Sequence, residues 1–199
     1  MELWTGLQSI RLSDRADMIS WNITADGKYS AASAYAVQFV GRIRQPHLEQ
    51  VWSIKVEGKV RFFFWLMLQN RNWTAERLRA RGLPHDDVCS LCDQEFETAA
   101  HLALLCPFAK EVWAIFELQH PQAASIAFAS TTINGWWAKA RRGKRCAMQK
   151  KEISMAIYIF WHIWKERGRR IFEGISATPE AVASLAKADS DLCFPAWAR

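Results

Sequence analysis

No apolar run in this chain is long enough to cross a bilayer; the longest, Met155 to Trp161, falls far short of the ~20 residues a spanning helix needs. There is no glycine-rich phosphate loop, no paired-carboxylate motif for two-metal chemistry and no nucleophile elbow. His47, His85, His120 and His162 stand in unrelated contexts, with no evident acid or nucleophile partner. These absences argue against an enzyme and a small-molecule substrate, and leave nuclease activity as the one reaction worth an assay. Internal repeats and low-complexity segments are missing too. The five cysteines are an odd set with no signal peptide ahead of them, which points to a reducing, intracellular compartment, nuclear or cytoplasmic.

What the chain has is aromatic bulk and positive charge. Half of its 199 residues are hydrophobic, enough for one large domain or two small subdomains, and 11 Trp with 11 Phe far exceed ordinary usage. The formal net charge is +6. The chain is therefore basic, and its expected partners are polyanions, nucleic acid ahead of membrane.

The cysteines carry the sharpest signal. Cys89, Cys92, His101 and Cys106 form the pattern Cys-x2-Cys-x8-His-x4-Cys. Cysteines two apart fit a tight knuckle whose backbone amides point at the sulfurs. A His and a Cys beyond the loop complete three thiolates and one imidazole, a closed structural zinc site with Zn–S near ~2.3 Å and Zn–N near ~2.0 Å. With every position filled by protein, no place is left for a catalytic water. Thr98 to Leu105 reads as a helix capped by Thr98. Cys106 lies five residues after His101, one more than a shared helical face allows, and Pro107 disfavours helical geometry at Cys106 and swings its sulfur back. A Cys-x2-Cys pair also occurs in redox dithiols, and free cysteines are often small core residues. His85 is a substitute ligand to weigh, and Cys146 and Cys193 are left over.

Along the chain, Met18 to Ile23 alternates and Asp26-Gly27 is a hairpin signal, so a small antiparallel hairpin is expected through Ser30. Ser30 caps a helix that Gly41 ends. Lys59 to Leu68, apolar nearly all round, is a buried helix, with strand as the alternative. Thr74 caps a short helix stopped by Gly82. Pro107 opens a helix through about Leu118, followed by a linker to Ser130. Ile153 to Phe172 is a long helix, buried in its first half, and Thr178-Pro179 starts a last one; the tail from Cys193 is loose. The fold class is therefore mostly α (small α+β), with an N-terminal β-hairpin and a Cys3His zinc knuckle.

Two basic groups stand out. Arg71, Arg77, Arg79 and Arg81 cluster ahead of the knuckle, either as a solvated face or in contact with phosphates. Lys139, Arg141, Arg142, Lys144, Arg145, Lys150 and Lys151 follow without an acid among them, either as a linker between helices or as a phosphate-binding strip. Trp73 and Trp136 are candidate stacking platforms for unpaired bases.

The order of residues resembles a known family. Trp21, Asp26-Gly27-Lys28-Tyr29-Ser30, Trp52, Lys59 to Trp65, Asn70-Arg71, Thr74 to Leu78 and Arg81-Gly82-Leu83 lead into Cys89, Cys92, Glu97, His101 and Cys106-Pro107-Phe108. This is similar to the reverse-transcriptase zinc-binding domain of plant LINE-type (non-LTR) retrotransposon proteins, and Trp161 to Glu173 resembles the segment that commonly follows it. The resemblance implies a non-catalytic accessory module with one structural Zn2+ on Cys89, Cys92, His101 and Cys106. It implies RNA or single-stranded DNA as partner, and the polymerase domain as a possible second one. Gly168 departs from the Asn usual there, and the polymerase's Tyr-x-Asp-Asp segment is absent. Residues 17–118 are expected to form the zinc-binding domain, with the knuckle at 89–106, and 131–192 a helical segment packed on it. Two other readings stay open: a docking module for a protein partner, and a remnant of a degenerate retroelement with no present function.

Overall fold

The structure is a computed structural model that describes residues 20–41, 45–142 and 147–196, without the side chains of 147–149 and 194–196. The chain divides after Arg44 into two compact units.

In the first unit, Ser30 caps helix α1 (Ala31–Val37) through a capping box with Ser33. Such a reciprocal pair answers two amide donors that the first turn leaves open. The expected hairpin is absent: the described residues contain no strand, so the fold class is corrected from mostly α (small α+β) to helical throughout the described residues. Gly27 does take a left-handed φ of 65°, as the Asp-Gly step requires. It accepts from the Trp21 amide at 2.9 Å, however, and donates to the Thr24 carbonyl at 3.1 Å. Thr24 and Asp26 side chains bond the Lys28 backbone, which closes the turn on itself. Only Lys28 and Tyr29 remain before the Ser30 cap, fewer than a strand needs. Met18 and Ile19 lie outside the described residues.

The second unit begins with α2 (Pro46–Glu49) and a 3-10 turn, Gln50–Ser53. Next come α3 (Gly58–Leu68), α4 (Ala75–Arg79), a helical segment ending in a π-helical turn (His101–Leu105), and α5 (Pro107–Phe116). Then follow α6 (Pro121–Phe128), α7 (Ile133–Ala140), α8 (Ala147–Glu173) and α9 (Pro179–Ala196). The expected linker to Ser130 holds α6, whose first turn is served by a buried carboxylate: Ala123 donates to Glu152 Oε2 at 2.8 Å. Thr132 caps α7 through the Gly135 amide, so part of the supposed basic linker is helix as well. The tail is not loose through Ala196, because α9 carries on past Cys193.

The core centres on α8. Ile157, Tyr158, Ile159 and Phe160 are fully buried. Phe64 stacks on Phe160 with 5.9 Å between ring centres, and Trp136 and Trp113 meet it edge-on at 4.9 and 5.3 Å. Each such aromatic pair adds roughly 0.5–1.5 kcal/mol beyond the area it buries. Trp136 belongs to this core, so it is no stacking platform. Helix α3 buries Val60, Phe63, Phe64, Met67 and Leu68 but exposes half of Phe62, so it is buried on one side only. No helix among the described residues is long and apolar enough to cross a membrane.

Candidate metal centre and basic surface

The knuckle is built by short-range backbone bonds. Cys89 donates to the Glu95 carbonyl at 2.8 Å, and an isolated antiparallel bridge joins Val88 to Phe96. The Cys89 carbonyl accepts from the amides of Cys92 at 3.3 Å and Asp93 at 2.8 Å. Asp93 closes the turn at a φ of 54°, a left-handed conformation that Asp tolerates better than most side chains. Thr98 caps the following helix as expected, its Oγ1 accepting the His101 amide at 3.0 Å.

The bend at Cys-Pro accounts for only half of how His101 and Cys106 meet. Cys106 is extended, with ψ 133° ahead of Pro107. The turn before it is already widened: the Cys106 amide donates to the His101 carbonyl at 2.7 Å, an i→i+5 closure. A single π-helical turn returns the fifth residue, not the fourth, beside the first, and such turns cluster at functional sites.

Cys89, Cys92, His101 and Cys106 therefore converge, with one donor atom from each lying within 4.8 Å of the others. Cys89 and Cys106 are fully buried, His101 is buried, and Cys92 is half-buried. The Cys89 and Cys106 sulfurs stand 4.0 Å apart, and Cys92 Sγ lies 3.4 Å from His101 Nε2. Ideal tetrahedral zinc geometry requires about 3.8 Å between sulfurs and about 3.5 Å from sulfur to nitrogen. The residues present fit one zinc ion. The described cysteines are free, and His101 stands with three of them, a donor set of zinc-site type. His85 is not drawn in; its ring bonds the Leu83 carbonyl and Asp87.

The electrostatics suit a cation. The hydrogen bond with Cys106 pushes the Cys89 thiol's pKa up, with burial adding to it, while the same bond pulls Cys106 down. Burial lowers His101, which keeps its imidazole neutral and able to ligate. Opposing the rise at Cys89 are hydrogen bonds from the backbone amides of Leu91 and Cys92; the Ala109 amide does the same for Cys106. A dication at the centre reverses the burial penalty on the thiolates.

Charged groups outside the set brace it, and their sequence positions alone assign them no role. Glu97, 2% exposed, accepts the Ala75 amide at 3.0 Å, and it serves the N-terminus of α4 in place of the expected Thr74 side chain. The same carboxylate takes Arg167 from α8, with the closest contact at 2.7 Å. Arg170 Nη1 donates to the carbonyls of Ser90 at 3.1 Å and Leu91 at 3.0 Å, and its Nε to buried Glu166 at 2.9 Å. The one available signal is the return of charge, Glu166-Arg167-Gly168-Arg169-Arg170, on an otherwise apolar helix.

Of the arginines that precede the knuckle in sequence, Arg79 reaches a knuckle residue, Phe96. Arg71, Arg79 and Arg81 are exposed and Arg77 half-buried. Arg81 lies over the half-exposed Trp73 ring at 4.4 Å, and Arg79 over Phe96 at 5.7 Å. In the second group Lys139 donates to the Ala129 carbonyl, Arg141 lies over Trp137 at 5.4 Å, and Arg142, Lys150 and Lys151 are exposed. Lys144 and Arg145 lie outside the described residues, as does Cys146. Cys193 is buried within α9.

Residues 29–113 match the family described as zinc-binding in reverse transcriptase, so the resemblance seen in the residue order is borne out over that segment. The match spans all four donors, and zinc is the ion that the family's description names. The chain is also 28% identical, over 162 residues, to an Arabidopsis thaliana protein named as a ribonuclease H protein. That alignment covers 78% of this chain and 25% of the relative, so the chain spans about a quarter of that protein's length. No solved structure matches it.

Proposed function

We propose that the chain is a zinc-stapled, non-catalytic accessory module of a retroelement reverse transcriptase, binding single-stranded RNA or DNA across the flank of its knuckle. The observation that carries the reading is the Arg81–Trp73 pair beside Arg79–Phe96. Guanidinium groups over aromatic rings next to a rigid turn supply phosphate contacts and stacking faces together. The closed set of four protein donors supports a structural metal. When bound, the ion orders the loop; the contacts to nucleic acid belong to the arginines and Trp73. Residues 17–118 form the zinc-binding domain in this reading and 131–192 the segment on it, supported by the bonds of Arg167 and Arg170 to the knuckle. The test is single-stranded RNA affinity as a function of salt, which falls steeply if the contacts are to phosphate. A flat response overturns it.

A second reading, docking on a protein partner, is favoured by the aromatic face on which exposed Trp52 and Phe62 both pack against Trp65. Charge reversal at Arg141, Arg142, Lys144 and Arg145 with RNA binding unaltered removes that strip as a contact surface and favours docking.

A further inference from the structure

Arg170 stands far beyond the matched segment, which ends at residue 113, and yet it touches the centre of the knuckle. Its two acceptors are the carbonyls of Ser90 and Leu91, the residues between the first two cysteines. In a planar trans peptide the C=O and N–H bonds point in opposite directions. The Ser90 carbonyl shares its peptide plane with the Leu91 amide, and the Leu91 carbonyl shares its plane with the Cys92 amide. The Cys92 amide donates to the Cys89 carbonyl at 3.3 Å, which closes the turn between the two cysteines. One guanidinium nitrogen therefore holds both peptide planes of the turn that separates the first two donors.

We propose that Arg170 is a positioning residue of the zinc site, fixing the Ser90 and Leu91 peptides, and with them the separation of Cys89 and Cys92, from outside the ligand set. The inference rests on the zinc reading above. Partners outside a ligand set fix the orientation of the ligands and so tune the affinity for the ion. Zinc with three thiolates carries one net negative charge, which a guanidinium on the knuckle complements.

The side chain is itself held in place for this task. Its Nε donates to Glu166, which is fully buried and also accepts the Ala177 amide at 2.7 Å. Its Nη2 reaches the Ala177 carbonyl at 3.3 Å, and its guanidinium carbon lies 4.7 Å over the Phe108 ring, just after Cys106-Pro107. A planar fork makes these contacts together; an ammonium group, compact and without a fork, cannot.

The test uses the full chain with Arg170→Met and Arg170→Lys, and His162→Gln as control. His162 is on the same helix and bonds Asp189 of α9, so it measures helix stitching without touching the knuckle. Zinc affinity is read by competition with a chromophoric chelator, and thiolate geometry by the charge-transfer band of cobalt(II) put in place of zinc. Arg170→Met is expected to keep one zinc per chain, to bind it on the order of 10–100-fold more weakly, and to shift the cobalt band. Arg170→Lys recovers only part of the loss and carries the test if the Met variant does not fold. Unchanged affinity in both variants overturns the proposal, as does an unmoved cobalt band or a loss matched by His162→Gln at equal stability. A native chain that binds no zinc removes the zinc reading itself; a native chain that binds zinc while the variants are indifferent removes this proposal alone.

Discussion

Glu97 and Arg167 are 70 residues apart in sequence and form an ion pair at 2.7 Å with side chains only 2% and 7% exposed. The pair joins the loop between the second and third donors to the longest helix, and through the Ala75 amide it holds the start of α4 as well. Three separate stretches of chain thus meet on one carboxylate.

Breaking this pair from one side leaves the other charge buried without its partner. Glu97→Gln is expected to cost about 3–5 kcal/mol in denaturant unfolding. The double variant Glu97→Gln with Arg167→Met should recover part of that loss, since it removes the stranded cation. A double variant no more stable than the single one contradicts this account.

Metal content offers a second check. Native mass spectrometry should find one zinc per chain, lost with a chelator and lost in Cys89→Ser and Cys106→Ser. Cys193→Ser, outside the four donors and buried in α9, should keep it. Structural zinc contributes on the order of 10–16 kcal/mol of apparent binding free energy at neutral pH, so chelation should also cost helical signal in circular dichroism.

Acid should weaken the fold through two histidines outside the metal centre. Burial lowers the pKa of His162 and of His120 from its ordinary value, despite Asp189 and Glu152 beside them. The unfolded chain therefore takes up protons first, near pH ~6.5. The stabilisation is fully present above that pH and is lost as pH falls toward the lower folded values. His162→Gln should flatten the stability–pH slope between about pH 7 and 5, and an unchanged slope would show that His162 titrates normally.

For nucleic acid, Arg79→Glu with Arg81→Glu should weaken single-stranded RNA binding and lower the salt slope by about 0.7 for each phosphate no longer neutralised. Trp73→Ala should cost about 1–3 kcal/mol of affinity while leaving the slope in place. Fluorescence anisotropy across a salt series separates the two effects; a Trp73 variant with native affinity excludes stacking there.

Local signals are legible wherever a residue answers its own backbone. Ser30, Thr98, Gly82 and Pro107 each cap, stop or open an element within a few residues of their position. The Asp26-Gly27 step signals a turn, and a turn forms there, but no hairpin follows. A turn residue sets its own φ, whereas a strand needs a partner of sufficient length, and the Ser30 cap takes that length away. Helix α6 escapes a reading of the sequence because its first turn is served by Glu152, far along the chain, whereas the Thr132 cap of α7 is a local signal that the basic run beside it obscures. Trp136 looks like a surface platform only because a basic neighbourhood in sequence says nothing of the rings packed around it.

By itself the sequence determined the four candidate zinc donors, since Cys-x2-Cys-x8-His-x4-Cys restricts the geometry through short loops whose ends cannot separate far. It also determined most helix boundaries, because capping acts over three or four residues. Only the tertiary structure decided what stands behind the donors: the π-helical turn that seats Cys106, the Glu97–Arg167 pair, and Arg170 on the knuckle carbonyls. The two arginine contacts join residues that chain spacing leaves independent, and burial of α8 against the rest of the core is what brings them together.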